Sequence, residues 1–182
     1  MQEAMSRFQP SRTSPELRAV RGPGAPGAGV DELAGRSEVL LNRLVEIEQG
    51  LAVQEWWLLG RTLPEARLLS EIVSLLAVAR GELLQFLADF FGRGPLGFDP
   101  AETLGGNEEP RLNDPLWVRQ RREQTIYLLR NVAASLPPMI QYARMLRAAA
   151  ERLNVAVTGL DGLGIVAGRL EEAYELLQQP PS

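Results

Sequence analysis

The segment from Pro64 to Phe91 constrains the fold more than any other part of the chain. Its apolar residues recur at the spacing of an α-helix and leave only a narrow polar stripe. That stripe consists of Arg67, Ser70, Glu71, Ser74, Gly81, Glu82, Gln85 and Asp89. A start signal precedes it, because Thr62 suits an N-cap, Pro64 falls in the first turn and Glu65 has the capping-box position. We therefore expect a long central helix from Pro64 to about Phe91.

Two more helices have clear start signals. Asp31 suits an N-cap, and the leucines that follow keep helical spacing as far as Leu51. Asp114 and Pro115 form the second start, with the carboxylate as N-cap and the proline in the first turn. This second pattern predicts a helix that extends to about Ala134.

The rest of the chain predicts two further helices. Pro137 and Pro138 lack a backbone N–H, so we expect them to end or kink the preceding helix and to open another over 138–153. A turn over Thr158–Gly162 is expected next, and then a last helix from Leu163 to Gln178 with Asp161 as N-cap. Strand signals are few. The predicted fold is all-α, with about five main helices in an irregular bundle around the long central helix.

The 182 residues predict one helical domain preceded by an arm. Residues 1–29 are rich in proline and glycine without sustained apolar periodicity, so we expect an extended arm that contacts other chains. Residues 30–182 form the domain. Its parts are an acidic helical hairpin over 30–92, a Gly/Pro-rich loop over 93–112, and a helical hairpin with the C-terminal helix over 113–182.

Three residue types are absent from the chain, and their absence narrows its chemistry. There is no Cys, no His, and no Lys, since all 19 basic residues are Arg. A thiolate nucleophile, an imidazole base, a Schiff-base lysine and the usual nitrogen or sulfur ligands of zinc are therefore excluded. We predict a protein that is not an enzyme and has no catalytic residues. The arginine-only usage also indicates a GC-rich source.

One glycine motif and several acidic pairs are candidate cofactor or metal sites. Gly162, Gly164 and Gly168 have the spacing GxGxxxG of a dinucleotide-binding turn, but only 14 residues follow and no parallel sheet precedes. No cofactor is predicted. Glu46 and Glu48 lie two residues apart and point to different helix faces, so we expect them on a solvated surface. The same expectation covers Glu108, Glu109, Glu171, Glu172 and Glu175, and no metal site is predicted.

Charge is distributed unevenly along the chain. Residues 1–29 carry +2, 30–109 carry −8, 110–152 carry +5 and 153–182 carry −3, which sum to the net charge of −4. Two explanations are open at this stage. The acidic and basic faces pair with each other within the chain, or one of them meets another subunit or a polyanion.

Eight residues are predicted to take part in interactions. Arg119, Arg121, Arg122 and Arg130 are expected on one basic helix. Trp56 and Trp57 diverge by about 100° on a helix, so one of them is expected to be an exposed anchor. Phe90 and Phe91 belong to a phenylalanine-rich helix end whose alternatives are core packing and a contact patch for another subunit.

These features predict a non-enzymatic structural or adaptor subunit of a larger assembly, for example a phage or phage-like particle. Its partners would be other protein subunits, in a homo-oligomer or a hetero-assembly. The main alternative is a nucleic-acid-associated or regulatory protein that uses the Arg-rich 111–152 hairpin. A carboxylate-dependent enzyme is a further, weaker alternative. No uninterrupted apolar stretch of about 18 residues and no secretory signal is found, so we expect no membrane span and a cytoplasmic or virion location.

Overall fold

The computed structural model describes residues 28–58, 63–92, 111 and 113–179. These residues form four α-helices and no strand. The helices are α1 (Ala28–Leu58), α2 (Pro64–Phe91), α3 (Pro115–Arg152) and α4 (Val157–Gln178). The prediction of an all-α fold is confirmed. The expectations for residues 1–27 and 93–110 lie outside the described residues.

The four helices pack as a ring around one leucine-rich core. Each of α1 and α4 contacts both α2 and α3, while α2 and α3 lie diagonally opposite and touch over a short stretch. Neighbours run antiparallel: Gly29 near the start of α1 lies against Leu153 just after α3, and Trp57 near the end of α1 lies against Trp117. Helix α2 is thus one of four walls, and its predicted place as the central helix is not confirmed. The largest fully buried side chains are Leu33, Leu41, Leu44, Leu51, Leu58, Leu69, Ile72, Leu76, Leu83, Leu136, Leu146 and Leu163.

Helix α3 continues through Pro137 and Pro138, so the prediction of two helices in this region was wrong. Four helices rather than five are therefore found in the described ranges. Packing explains the difference, because Leu136, Met139 and Ile140 are buried on the turns that contain the prolines. The prolines nevertheless remove two backbone donors from the helix.

The sequence signal for the start of α3 predicted the capping residue correctly. The Asp114 carboxylate accepts hydrogen bonds from the N–H groups of Leu116 at 3.0 Å and Trp117 at 3.3 Å, as an N-cap should. Helix α2 begins at Pro64 as predicted, but its N-cap position is Leu63, which makes no side-chain cap bond. Thr62 lies outside the described residues.

The beginnings of α1 and α4 differ from the prediction. Helix α1 begins at Ala28 rather than Asp31. Helix α4 begins at Val157 rather than Leu163, so the predicted turn over Thr158–Gly162 was wrong, and Asp161 lies inside the helix instead of capping it. The bend between α3 and α4 falls earlier, where Asn154 adopts a positive φ of 54°.

Glycine residues let the start of α4 approach the end of α2 closely. A Cβ atom on Gly159 would lie 2.6 Å from Cε2 of Phe90, which is shorter than any normal contact. One turn on, a Cβ atom on Gly162 would lie 3.5 Å from Oε2 of Glu82. Gly159 therefore permits the close packing of α4 on α2, whereas a Cβ atom on Gly162 would make an ordinary van der Waals contact.

Two glycine substitutions on α4 test this close approach. We expect Gly159→Ala to lower the free energy of unfolding by about 1–3 kcal/mol, because the new methyl group collides with the Phe90 ring. Gly168→Ala is the matched control: no side chain and no other helix in the described residues lies within 4 Å of its added Cβ, so helix propensity should raise the free energy of unfolding by about 0.5–1 kcal/mol. Urea denaturation of both variants measures the difference. Equal effects of the two changes would show that the contact is not close.

Candidate interaction surface

Tryptophan and arginine side chains gather where the end of α1 meets the start of α3. The rings of Trp57 and Trp117 form an edge-to-face pair with centroids 6.4 Å apart. The guanidinium carbon of Arg121 lies 3.6 Å from the Trp57 ring centroid and 5.3 Å from that of Trp117, as a cation–π contact requires. Arg121 and Trp57 thus stabilise this end of the chain's own bundle.

The two adjacent tryptophans of α1 have different environments. Trp57 is half-buried in this cluster, whereas Trp56 is 48% exposed on the other side of the helix. The predicted divergence is therefore confirmed, and the role of Trp56 as an anchor stays a prediction. Trp117, which sequence analysis did not select, is 5% exposed, and its buried indole N–H has no acceptor among the described residues.

Arg122 is held by Glu65 across the diagonal of the bundle. Its Nε and Nη2 atoms both donate to Oε1 of Glu65, at 3.0 and 2.7 Å. Burial alone would raise the pKa of Glu65, but the hydrogen bond from Arg122, a backbone hydrogen bond and the Arg122 charge outweigh burial and lower it. The interaction predicted for Arg122 with another chain thus competes with a partner inside its own chain.

The other arginines of α3 differ in how they are engaged. Arg119 pairs with Glu123 one turn along at 3.1 Å, and Arg144 reaches Glu171 on α4. Arg130 is exposed and has no hydrogen bond or ion pair within the described ranges. Arg122 and Arg144 pair with carboxylates of other helices, so pairing within the chain, one of the two explanations left open for the uneven charge, accounts for part of the basic charge of α3.

Glu48 was expected on a solvated surface, and this was wrong. Its side chain is only 8% exposed and meets Arg80 of α2 in a two-pronged ion pair, with Nε–Oε2 at 2.7 Å and Nη2–Oε1 at 3.2 Å. The sequence contains the missed signal, since Glu48 keeps the helical register of Leu44 and Leu51, which are both fully buried. Glu46 is exposed and pairs with Arg43, as an outward position should.

Phe90 and Phe91 are partly buried in the chain's own bundle. Their ring centroids lie 5.2 and 5.4 Å from that of Phe86, and the Phe90 ring fills the space above Gly159. These contacts favour core packing, the first of the two alternatives weighed for this pair. A contact with another subunit would have to use what remains of their exposed surface.

The outer face of α3, opposite the core, carries three large apolar side chains that none of the other described helices covers. Leu116 is 63% exposed, Tyr127 is 68% exposed and Met145 is 56% exposed. Their separations of 11 and 18 residues are close to whole numbers of helical turns, so they lie along one line. Sequence analysis did not select them, although their helical spacing is visible in the sequence.

An apolar groove of about 380 Å³ lies beside this line, between α1 and α3. Its walls are mostly apolar, and it includes the exposed Pro138 of the tandem pair. The lining residues are Val39, Leu40, Arg43, Ala134, Ser135, Pro138, Met139 and Tyr142.

The described part of the chain gives little support to other kinds of site. Gly162, Gly164 and Gly168 lie within α4, not on a strand-to-helix turn. Within the described ranges, no three acidic side chains gather where they could hold a metal ion. None of the described helices is long and apolar enough to cross a membrane. Comparisons with protein families, with curated proteins and with solved structures found no match to the chain.

The pH dependence of stability tests the ion pair between α2 and α3. The folded-state pKa of Glu65 is lowered from 4.5, so its charge adds stability above that value, and the gain is lost as the pH falls through the folded-state pKa. We expect Glu65→Gln to be less stable than the original protein at neutral pH, and the difference to shrink below about pH 4.5.

Glu71→Gln is the control, because it removes an exposed i,i+4 pair with Arg67. Its effect should stay below about 1 kcal/mol. Chemical denaturation at several pH values measures both variants. A difference for Glu65→Gln that does not change with pH would contradict the assignment.

Proposed function

We propose that the chain is a non-enzymatic structural or adaptor subunit that acts through contacts with other proteins. A phage or phage-like particle is one setting for such a subunit, with a cytoplasmic or virion location. The observation that carries the proposal is the outer face of α3, with Leu116, Tyr127 and Met145 each more than half exposed on one line. These side chains stand about 17 and 27 Å apart along the helix, and the outer positions between them are mostly uncharged, so the face suits contact with another protein.

The composition of this face supports a protein partner. Interface centres are depleted in charge and enriched in tyrosine, methionine and arginine. On α3 the arginines that pair with carboxylates of other helices, Arg122 and Arg144, lie on its flanks. The outer positions are mostly apolar or amide side chains, with Glu123 and Arg130 as the charges near the middle.

The second candidate, nucleic-acid binding through 111–152, has less support. Phosphate binding needs guanidinium groups that are free to exchange their partners. Four arginines of this region, Arg119, Arg122, Arg144 and Arg147, already pair with carboxylates of the chain. The face that remains is neither strongly basic nor rich in exposed aromatic rings for base stacking.

Sedimentation of the purified 182-residue chain tests the proposal. We expect a species heavier than the 20.1 kDa single chain, because an apolar face favours self-association or a partner. The fraction of this heavier species should grow with protein concentration. A chain that stays monomeric at all concentrations, and captures no protein from its native source, would overturn the proposal. Binding to DNA or RNA that weakens steeply with salt would favour the second candidate instead.

A further inference from the structure

We propose that the outer face of α3 binds the same face of a second copy, with the two α3 helices antiparallel and a two-fold axis at Tyr127. The inference rests on the proposed function, because it names one contact through which the subunit would assemble. A two-fold interface requires each residue to meet a position at the same distance on the other side of the axis. The outer face of α3 satisfies this requirement around Tyr127.

The spacing of the outer residues is symmetric about Tyr127. Leu116 lies 11 residues before it and Pro138 lies 11 residues after it. Gln120 and Ala134 lie seven residues before and after it. In the antiparallel pair, Leu116 of one copy therefore lies opposite Pro138 of the other, and Gln120 lies opposite Ala134.

The first pairing joins a protruding side chain to a groove. Leu116 is 63% exposed, and Pro138 lines the apolar groove of about 380 Å³ between α1 and α3. A leucine side chain from the second copy would bury its surface there against Val39 and Tyr142. The symmetry forms this contact twice.

The second pairing supplies a missing hydrogen bond. The carbonyl of Ala134 would normally accept from the N–H of residue 138, or of residue 137 in a tighter turn. Both positions are proline, so neither donor exists. The exposed side chain of Gln120 from the second copy carries an amide N–H that can donate to this carbonyl.

The third pairing is between opposite charges. Glu123 lies four residues before Tyr127 and Arg130 lies three residues after it, so each lies opposite the other across the axis to within one residue. Glu123 is 63% exposed and uses one oxygen, Oε1, in its pair with Arg119, which leaves its other oxygen for a second arginine. Arg130 has no ion pair among the described residues, and this arrangement would give it one.

The size of the contact sets its strength. The overlap from Leu116 to Pro138 covers 23 residues, or about 33 Å, and is one helix wide. The surface area buried by so narrow a contact would lie at the lower end of the range for specific interfaces. We therefore expect a reversible dimer with a dissociation constant on the order of micromolar.

Reversal of the two charges tests the arrangement in the 182-residue chain. Arg130→Glu and Glu123→Arg should each weaken dimerisation about tenfold or more, because each places like charges opposite one another. The double variant, Glu123→Arg with Arg130→Glu, should recover most of the affinity, since the swapped pair is again complementary. Arg152→Glu is the matched control: it lies on the same face but beyond the overlap, and should leave the dissociation constant unchanged.

A cysteine introduced at the axis gives an independent measurement. The chain contains no Cys, so Tyr127→Cys would carry a single thiol that meets its own copy across the two-fold axis. Mild oxidation should yield disulfide-linked dimers of this variant. Met145→Cys, equally outward but 18 residues away, should yield few, because its two copies lie far apart in the antiparallel pair.

Several results would overturn the inference. If the dissociation constant is the same in all three charge variants as in the original protein, the dimer uses another surface. This result would overturn the inference but not the proposed function. Crosslinking as efficient through Met145→Cys as through Tyr127→Cys would exclude the axis at Tyr127. A chain that is monomeric at every concentration, but bound to a different protein, would likewise overturn the inference alone. A monomer without any partner would overturn both.

Discussion

The packing around Pro137 and Pro138 is the constraint on which the rest of the structure depends, because it keeps α3 continuous over 38 residues. A proline in a helix interior costs about 3 kcal/mol, so two cost about 6 kcal/mol. Leu136, Met139 and Ile140 are almost fully buried on the same turns, and each such side chain contributes about 1.5–3 kcal/mol. The free energy gained from this burial is about as large as the free-energy cost of the two prolines. A break at Pro137 would release the half of α3 that brings Trp117 and Arg121 to Trp57.

Sequence reasoning succeeded where local chemistry decides the structure. The starts of α2 at Pro64 and α3 at Pro115 were predicted to the residue, because a proline in the first turn and an Asp114 cap act over a few residues. The divergence of Trp56 and Trp57 followed from helix geometry alone, although that geometry did not say which of them is exposed. All of these signals lie within one or two turns of the residues that they place.

The wrong predictions share a different cause, which is contact between distant parts of the chain. The helix continues through Pro137 because Leu136, Met139 and Ile140 beside it are buried in the core. Gly159 lies in a helix that packs closely against the Phe90 ring. Glu48 is buried because Arg80, 32 residues later, arrives to neutralise it. The pattern of a single helix and the spacing of a residue pair do not identify these contacts, because the contacting residues are distant in the sequence. The exposed line on α3 was missed although its helical spacing is visible in the sequence, because packing against the other helices decides which face of α3 is buried.

The ion pairs within the chain act more on specificity than on stability. Exposed pairs such as Arg144 with Glu171 contribute at most about 1 kcal/mol to folding. They do fix guanidinium groups along the sides of α3 that face α2 and α4, and so they neutralise the flanks of an otherwise basic helix. A second basic helix would be repelled by those flanks if they were unpaired. Neutral flanks beside an outer line that holds Glu123 and Arg130 at its centre leave one face on which a copy of the same helix can lie without repulsion.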